Sequence, residues 1–337
     1  MDAADRELLQ ATVVDALTAH AEANPVAEPM TGVPARADGV LADLGWFEML
    51  EAEPRDAVGI VAHALGSTDT YASILDDVFA AALGVEPRAD LAVVLPAYPG
   101  VAPPVAGDAG SANGTGIGTA RAATASELLV VRGDDTAVLV PADAATVTPV
   151  AGIAPRWSAT KIEIPTVVGA DVALADGAWD RAIAAGRRAV GHELAGANRT
   201  MIALAREHAL ERMQFGKPIA QFQALRHKLA EALVALEATD AALVAAWDTA
   251  DAAADSPEAA MTAALAKALA ARGARTVAGH TQQVLAGIGF TTDHTFHSFL
   301  KRCLLLEGML GTADSITLEV GRHLLATRTV PTLIELG

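Results

Sequence analysis

Apolar positions recur at helical spacing over two long stretches of this chain, and at strand-like spacing between them. Over residues 2–22, Leu9, Val13 and Leu17 fall four apart, which places them on one face of an amphipathic helix that Asp2 can cap. Pro25, Pro29 and Pro34 then break the pattern. Helical character returns across Leu41–Leu50 and from about Ala57 to Leu83, with Gly66 as an interruption. Residues 1–90 therefore read as an N-terminal all-helical domain.

The texture changes near residue 90. Leu91-Ala-Val-Val-Leu95 is a short apolar run closed by Pro96, which predicts a strand. A loop rich in Gly, Pro and Ala is expected over 96–120. Further strand-like runs occupy Leu128–Val131, Ala137–Val140, Thr146–Val150 and Lys161–Val168, separated by Gly-Asp and Pro signals. Several short strands in succession, with no helices between them, predict a small antiparallel sheet or barrel over 91–172, with Trp157 packed on its face. From Trp179 onward the period is helical again, and four long helices are expected at about 178–213, 218–253, 257–286 and 294–326. Ser256-Pro257-Glu258 supplies a cap and a first-turn proline for the third of these. The Gly287-Ile-Gly289 break separates the last two. The result is a C-terminal four-helix bundle over 173–337 and an α+β fold class.

Composition sharpens this picture in three places. Of the 337 residues, 52% are apolar but only 4% aromatic; alanine makes up much of the difference, which favours closely packed helices. The formal charge of −17, with no basic patch or stripe, argues against a nucleic-acid partner. An anionic ligand would need a local cluster of Arg and Lys to overcome that field. Cys303, the only cysteine, lies in the apolar run Cys303-Leu-Leu-Leu306, so it reads as a buried structural thiol in a reducing compartment. No apolar run approaches the roughly 18 residues of a membrane span. The acidic start Met-Asp-Ala-Ala-Asp lacks a signal peptide's basic region. A soluble, cytoplasmic protein with no membrane partner is expected.

Most candidate chemistry has a plain structural reading. Gly114-Thr-Gly-Ile-Gly118 is similar to a phosphate-binding glycine loop, but no βαβ unit surrounds it, and a flexible loop is the simpler reading. His294 and His297 lie three apart without a third ligand, so capping or solvated histidines are expected in place of a metal site. The segment Arg212-Met-Gln-Phe-Gly-Lys-Pro218, followed by Phe222-Gln-Ala-Leu-Arg-His227, is different. Core packing does not require that mixture between two Ala/Leu-rich helices. Arg212 offers charge for phosphate, Gln214 and Gln223 offer amides, and Phe215 offers a ring for stacking. A second polar element, Gln282-Gln283 with Leu285-Ala-Gly-Ile-Gly-Phe290, closes the third bundle helix. Its glycines allow close backbone approach and its amides can bond a ligand. The alternative for the first segment is an ordinary αα-hairpin turn.

On these residues the chain resembles the acyl-CoA dehydrogenase family. Arg212 to Ala230 is similar to that family's signature, Gln283-Val-Leu-Ala-Gly-Ile-Gly-Phe290 to its second C-terminal motif, and Leu41-Ala-Asp-Leu-Gly-Trp46 to its N-terminal helical domain. The resemblance implies FAD as cofactor, lying across a subunit interface. It also implies that Arg212, Gln214, Phe215, Gln223, Gln283 and Gly287 reach the adenine and diphosphate half of a neighbour's FAD. The family abstracts an α-proton from an acyl-CoA with a glutamate held at one of two positions. Here those positions carry Gly186 and Leu310, neither of which can accept a proton. Glu193, about 10 Å beyond Gly186 at ~1.5 Å per residue, and Glu307, about one turn before Leu310, are the nearby substitutes.

The segments Gly118-Thr-Ala-Arg-Ala-Ala-Thr124 and Leu95-Pro-Ala-Tyr-Pro99 lack the aromatic wall that the family presents to the flavin ring. Those losses resemble the non-base subunit of actinobacterial α2β2 acyl-CoA dehydrogenases of steroid and cholesterol side-chain breakdown. The resemblance then implies a second family subunit, an acyl-CoA substrate and an electron-transferring flavoprotein as partners. Two alternatives stay open: a self-sufficient homo-oligomer using Glu193 or Glu307, and a scaffold that has kept the fold and lost FAD.

Overall fold

The computed structural model describes residues 1–25, 35–105, 113–133 and 136–328. The N-terminal region is helical, as the periodicity predicts. Asp2 accepts from the Asp5 amide at 2.9 Å and starts α1 (Ala3–Ala23), whose Val13 and Leu17 are buried. Two short helices, α2 (Asp38–Asp43) and α3 (Trp46–Ala52), lead into α4 (Pro54–Thr68) and α5 (Ile74–Ala82). The expected single stretch from Ala57 to Leu83 is thus two helices. The break falls at Asp69, which adopts φ 54°, and not at Gly66. Gly66 stays inside α4 because α4 lies backbone to backbone against α6 (Ala178–Glu211). A Cβ on Gly66 would overlap the Glu193 carbonyl, and one on Gly196 would overlap that of His63.

The central domain holds two sheets where one was expected. The first has the order β1 (Leu91–Val93), β3 (Glu127–Arg132), β4 (Thr136–Pro141) and β7 (Ala170–Ala173). The second has the order β2 (Gly114–Gly118), β6 (Thr160–Ile164) and β5 (Thr146–Pro149). All pairings are antiparallel except β1 with β3. Successive residues of β3 face opposite ways. Leu128 and Val130 join Val138, Val140, Ile162 and Ile164 between the sheets, while Leu129 and Val131 join the helical core. Burial on both faces explains the continuous apolar run. Trp157 is buried in the same cluster as Leu129, Val131 and Ala137, the sheet face turned to the helices. Its carbonyl accepts from Arg36 at 3.3 Å.

Gly114–Gly118 is a strand, which corrects the flexible-loop reading and bounds the loop expected over 96–120. Period two puts its three glycines on one buried face. A Cβ at Gly116 would overlap the Leu95 carbonyl, because β2 bridges to the chain at Leu95 (Leu95 N to Ile117 O, 2.8 Å).

The C-terminal helices are α6, α7 (Gln223–Ala253), α8 (Pro257–Leu285), α9 (Phe296–Gly308) and α10 (Ala313–Thr327). Ser256 caps α8 through the Ala259 amide at 3.1 Å, as its sequence predicts. The single helix expected over 294–326 is instead α9 and α10. Leu310 and Gly311, at φ 56° and 100°, turn the chain between them. Alanine and glycine bring α8 close to its neighbours: a Cβ at Gly273 would lie 2.9 Å from Thr239 Oγ1 on α7.

Candidate functional site

The end of α6 and the start of α7 are joined by a tight hairpin, β8 (Met213–Gln214) with β9 (Lys217–Pro218). Its two central residues both need positive φ, and Gly216 (78°) fits that requirement. Phe215, at φ 51°, does so against the preference of a bulky side chain. Its ring is nevertheless 90% exposed, resting edge-on against Phe222 with centroids 6.1 Å apart. Backbone strain and an exposed ring thus coincide at this residue.

The second junction lies at the same end of the bundle. Helices α6, α7 and α8 run alternately, so the end of α8 adjoins the start of α7, where His280 Nε2 lies 3.0 Å from Glu231. Ala286 takes φ 51° and ψ −132° as α8 passes into the 3-10 turn Ala286–Phe290. That turn leaves the Phe290 ring 77% exposed. His208, near the end of α6, has its pKa lowered by burial and by the charge of His294.

The six residues expected at a nucleotide are all exposed here: Arg212, Gln214, Phe215, Gln223, Gln283 and Gly287. Gln223 lies 3.3 Å from His227 Nε2. The side chains of Arg212, Gln214 and Gln283 form no hydrogen bond or ion pair among the described residues, and a Cβ at Gly287 would meet nothing within 4 Å. Free donors, an open backbone approach and two outward rings fit the adenine and diphosphate half of a dinucleotide.

Gly186 and Leu310, the two positions at which a base was sought in the sequence, also converge. A Cβ at Gly186 would lie 2.7 Å from Leu310 Cδ1 and would overlap Phe79 Cε2 of α5. Phe79, fully buried and edge-on to Trp179 at 5.9 Å, occupies the space that a side chain at 186 would need. The chain turn at Leu310 is held by cations. Arg187 Nε donates to the Leu310 carbonyl at 3.0 Å, and Lys267 Nζ donates to the Gly311 carbonyl at 2.7 Å and to that of Glu307. Burial, then the charge of Arg187, pushes the Lys267 pKa down to about 7.

Neither nearby carboxylate is free. Glu193 is buried 3.1 Å from Arg302, itself fully enclosed, and burial raises its pKa. Glu307 is paired with Arg275 of α8. The segment Gly118–Thr124 is likewise committed. Thr119 donates to Asp76, and Arg121 donates to Asp77 through Nη2 at 3.0 Å; Asp77 also accepts from Trp46 at 2.9 Å. Tyr98 reaches across to α9, where its hydroxyl lies 3.4 Å from the Leu305 carbonyl.

His294 and His297 cap locally, with the Phe296 amide donating to His294 Nδ1 at 3.1 Å. Among the described residues no cluster suits a metal ion. Cys303 is buried and its thiol is pushed up to about 12 by burial, in line with the structural reading. No helix of the described residues is long and apolar enough to cross a membrane. Sequence reasoning missed Phe79, Arg187 and Lys267. Lys267 did leave a signal, as the lone charge in the run Ala263 to Ala271.

Residues 178–325 match the family description "Acyl-CoA dehydrogenase, C-terminal domain". The chain is 41% identical over 121 residues to acyl-CoA dehydrogenase FadE34 of Mycobacterium tuberculosis, a match covering 35% of this chain and 17% of that protein. This chain therefore aligns with about a sixth of that relative's length. Among solved structures, a variant of the Tcur3481–Tcur3483 steroid ACAD superposes with a TM-score of 0.78 at 22% identity, covering 96% of this chain and 98% of that one. A glutaryl-CoA dehydrogenase from Mycobacterium smegmatis in complex with FADH2 gives a TM-score of 0.77 at 17% identity, covering 98% and 97%. At these identities the two structures establish the fold.

Proposed function

We propose that this protein is the non-base subunit of a heteromeric, FAD-dependent acyl-CoA dehydrogenase, a reading supported by the match of residues 178–325 to the acyl-CoA dehydrogenase C-terminal domain and by the fold shared with the two solved structures. The observation that carries the reading is the meeting of Gly186 and Leu310 around Phe79. Both places where the family keeps its glutamate are apolar, and the volume at 186 is taken. General-base chemistry needs a carboxylate within hydrogen-bond reach of the substrate's α-proton. In this account the partner subunit supplies it.

The chain's own contribution lies at the other end of the bundle. Arg212 would pair with the diphosphate, Gln214, Gln223 and Gln283 would bond the adenine or ribose, Phe215 would stack, and Gly287 would give clearance. FAD, when bound, supplies the acceptor for the hydride that leaves Cβ as the α-proton leaves Cα, giving a trans-2-enoyl-CoA. An electron-transferring flavoprotein then takes the electrons. The two-component name of the steroid ACAD to which the chain is similar supports a dissimilar partner and a steroid side-chain thioester as the acyl group. The ion pairs of Glu193 and Glu307 weigh against either as a replacement base.

Co-expression with a family subunit that carries an intact glutamate is expected to give a yellow complex that bleaches on addition of an acyl-CoA. Arg212→Ala is expected to lower its flavin content. Unchanged flavin content in that variant would favour a scaffold that has lost FAD.

A further inference from the structure

A second feature lies apart from both the base positions and the hairpin. Helices α3, α4 and α5 stand off from α6 and α7 to leave a cleft of about 750 Å³, within the range of small-molecule sites. Its walls are apolar, with Leu50, Val58, Val78 and Val85 on one side and Trp247 on the other. Arg188 of α6 projects into this lining. It is only 8% exposed, yet none of its nitrogens makes a hydrogen bond or ion pair among the described residues, and its Nε is fully enclosed without a partner. The Trp247 ring packs against it, with its centroid 4.5 Å from the guanidinium carbon. Trp247 is fixed in turn by donating to His192 Nε2 at 3.0 Å. An enclosed Nε without an acceptor is costly, and the Nη groups at the cleft are donors open to a ligand.

Charge around the cleft selects among acceptors. Glu48, Glu51 and Glu86 line it and form no ion pair among the described residues, so an anion would approach against them. Asp251 already faces Arg188 as a counter-charge while paired with Arg55 at 2.7 Å, and Arg181 is held by Asp255 at 2.8 Å. Arg188 thus lacks a hydrogen-bond acceptor more than it lacks a negative charge.

We propose that this cleft binds an uncharged apolar molecule bearing a carbonyl oxygen, which accepts from Arg188. The site is independent of the flavin reading, because no residue proposed to touch the cofactor lines it. Burial also pushes the Arg188 pKa down to about 10, against the raising effect of Asp251.

The test uses the full chain, together with its partner subunit where they purify as one complex, and 2-undecanone as the probe. Binding is followed by tryptophan fluorescence and by calorimetry. Saturable 1:1 binding is expected, with undecanoate at least tenfold weaker. Arg188→Met should weaken the ketone tenfold or more, as loss of a hydrogen bond to a charged group does. Val85→Trp, which fills the cleft from its half-buried edge, should abolish binding whatever the fate of the Arg188 variant. Equal affinity in Arg188→Met and the parent, persistence of binding in Val85→Trp, tighter binding of undecanoate, or no saturable binding would each overturn the proposal. Flavin content is read in the same samples, so failure here is distinguishable from failure of the cofactor reading.

Discussion

Substituting Gly186 by Ala tests the packing on which the proposed loss of the base rests. Two effects oppose each other. In the interior of a 34-residue helix, Gly→Ala gains roughly 0.8–1.0 kcal/mol from backbone propensity. The new Cβ would overlap Phe79 Cε2 and lie 2.7 Å from Leu310 Cδ1, and overpacking of that kind costs about 1–3 kcal/mol. The account therefore predicts a neutral to destabilising Gly186→Ala, by up to about 2 kcal/mol. Phe79→Leu removes the ring atoms that a Cβ would meet. In that background Gly186→Ala should become stabilising, with a coupling of at least about 1 kcal/mol between the two sites. Urea denaturation of the four proteins, followed by tryptophan fluorescence, measures the cycle. Additive effects, or a stabilising Gly186→Ala with Phe79 intact, would refute the claim that Phe79 fills this position.

Three further outcomes follow from the same geometry. Phe215→Gly relieves the positive-φ strain of the hairpin, so it should leave the melting temperature unchanged or raise it while weakening assembly with the partner, as read by analytical ultracentrifugation. Glu193→Gln leaves the buried Arg302 with Asp69, at 3.7 Å, as its remaining carboxylate partner and should lower stability by up to about 3 kcal/mol, yet preserve turnover per folded complex; loss of turnover alone would restore Glu193 as a base. His63 and His192 have pKa values held down to about 4 and about 3, chiefly by burial. Their unfolded forms bind protons near 6.5 and their folded forms do not, so the stability they contribute is complete above that value and is lost as pH falls towards 3–4. The acid limb should steepen by up to about 1.4 kcal/mol per pH unit for each group, and His192→Gln, which keeps an acceptor for Trp247, should flatten it.

Much of the architecture was legible in the sequence because periodicity and caps act locally. The Asp2 and Ser256 caps, the bounds of α6 and α8 to within about two residues and the order of the three regions follow from spacing alone, whereas α7 starts at Gln223 and not at 218, because the hairpin and a 3-10 turn fill the interval. What escaped depends on contacts between distant segments. Gly66 reads as a helix breaker until α6 is seen against it, and Gly114–Gly118 reads as a loop until Leu95 is seen to leave no room for side chains. The turn at Leu310 is invisible to periodicity, because apolar residues continue through it and the cations that hold its carbonyls come from α6 and α8.

The candidate site divides in the same way. Arg212, Gln214, Phe215, Gln223, Gln283 and Gly287 stood out as residues that no core requires. Phe79 is an ordinary apolar residue in an amphipathic helix, and its meaning appears only beside Gly186. Arg188 and Lys267 are charges that a helical wheel would send to solvent, but the inter-helix packing encloses them.

The most direct measurement is the flavin and activity of this chain, purified first alone and then with a family subunit that bears the glutamate. The account predicts a protein that is colourless or unstable alone. It predicts that the complex gains FAD and reduces it with an acyl-CoA, and that Arg212→Ala loses flavin. A yellow homo-oligomer of this chain, bleached by an acyl-CoA without any companion, would contradict it.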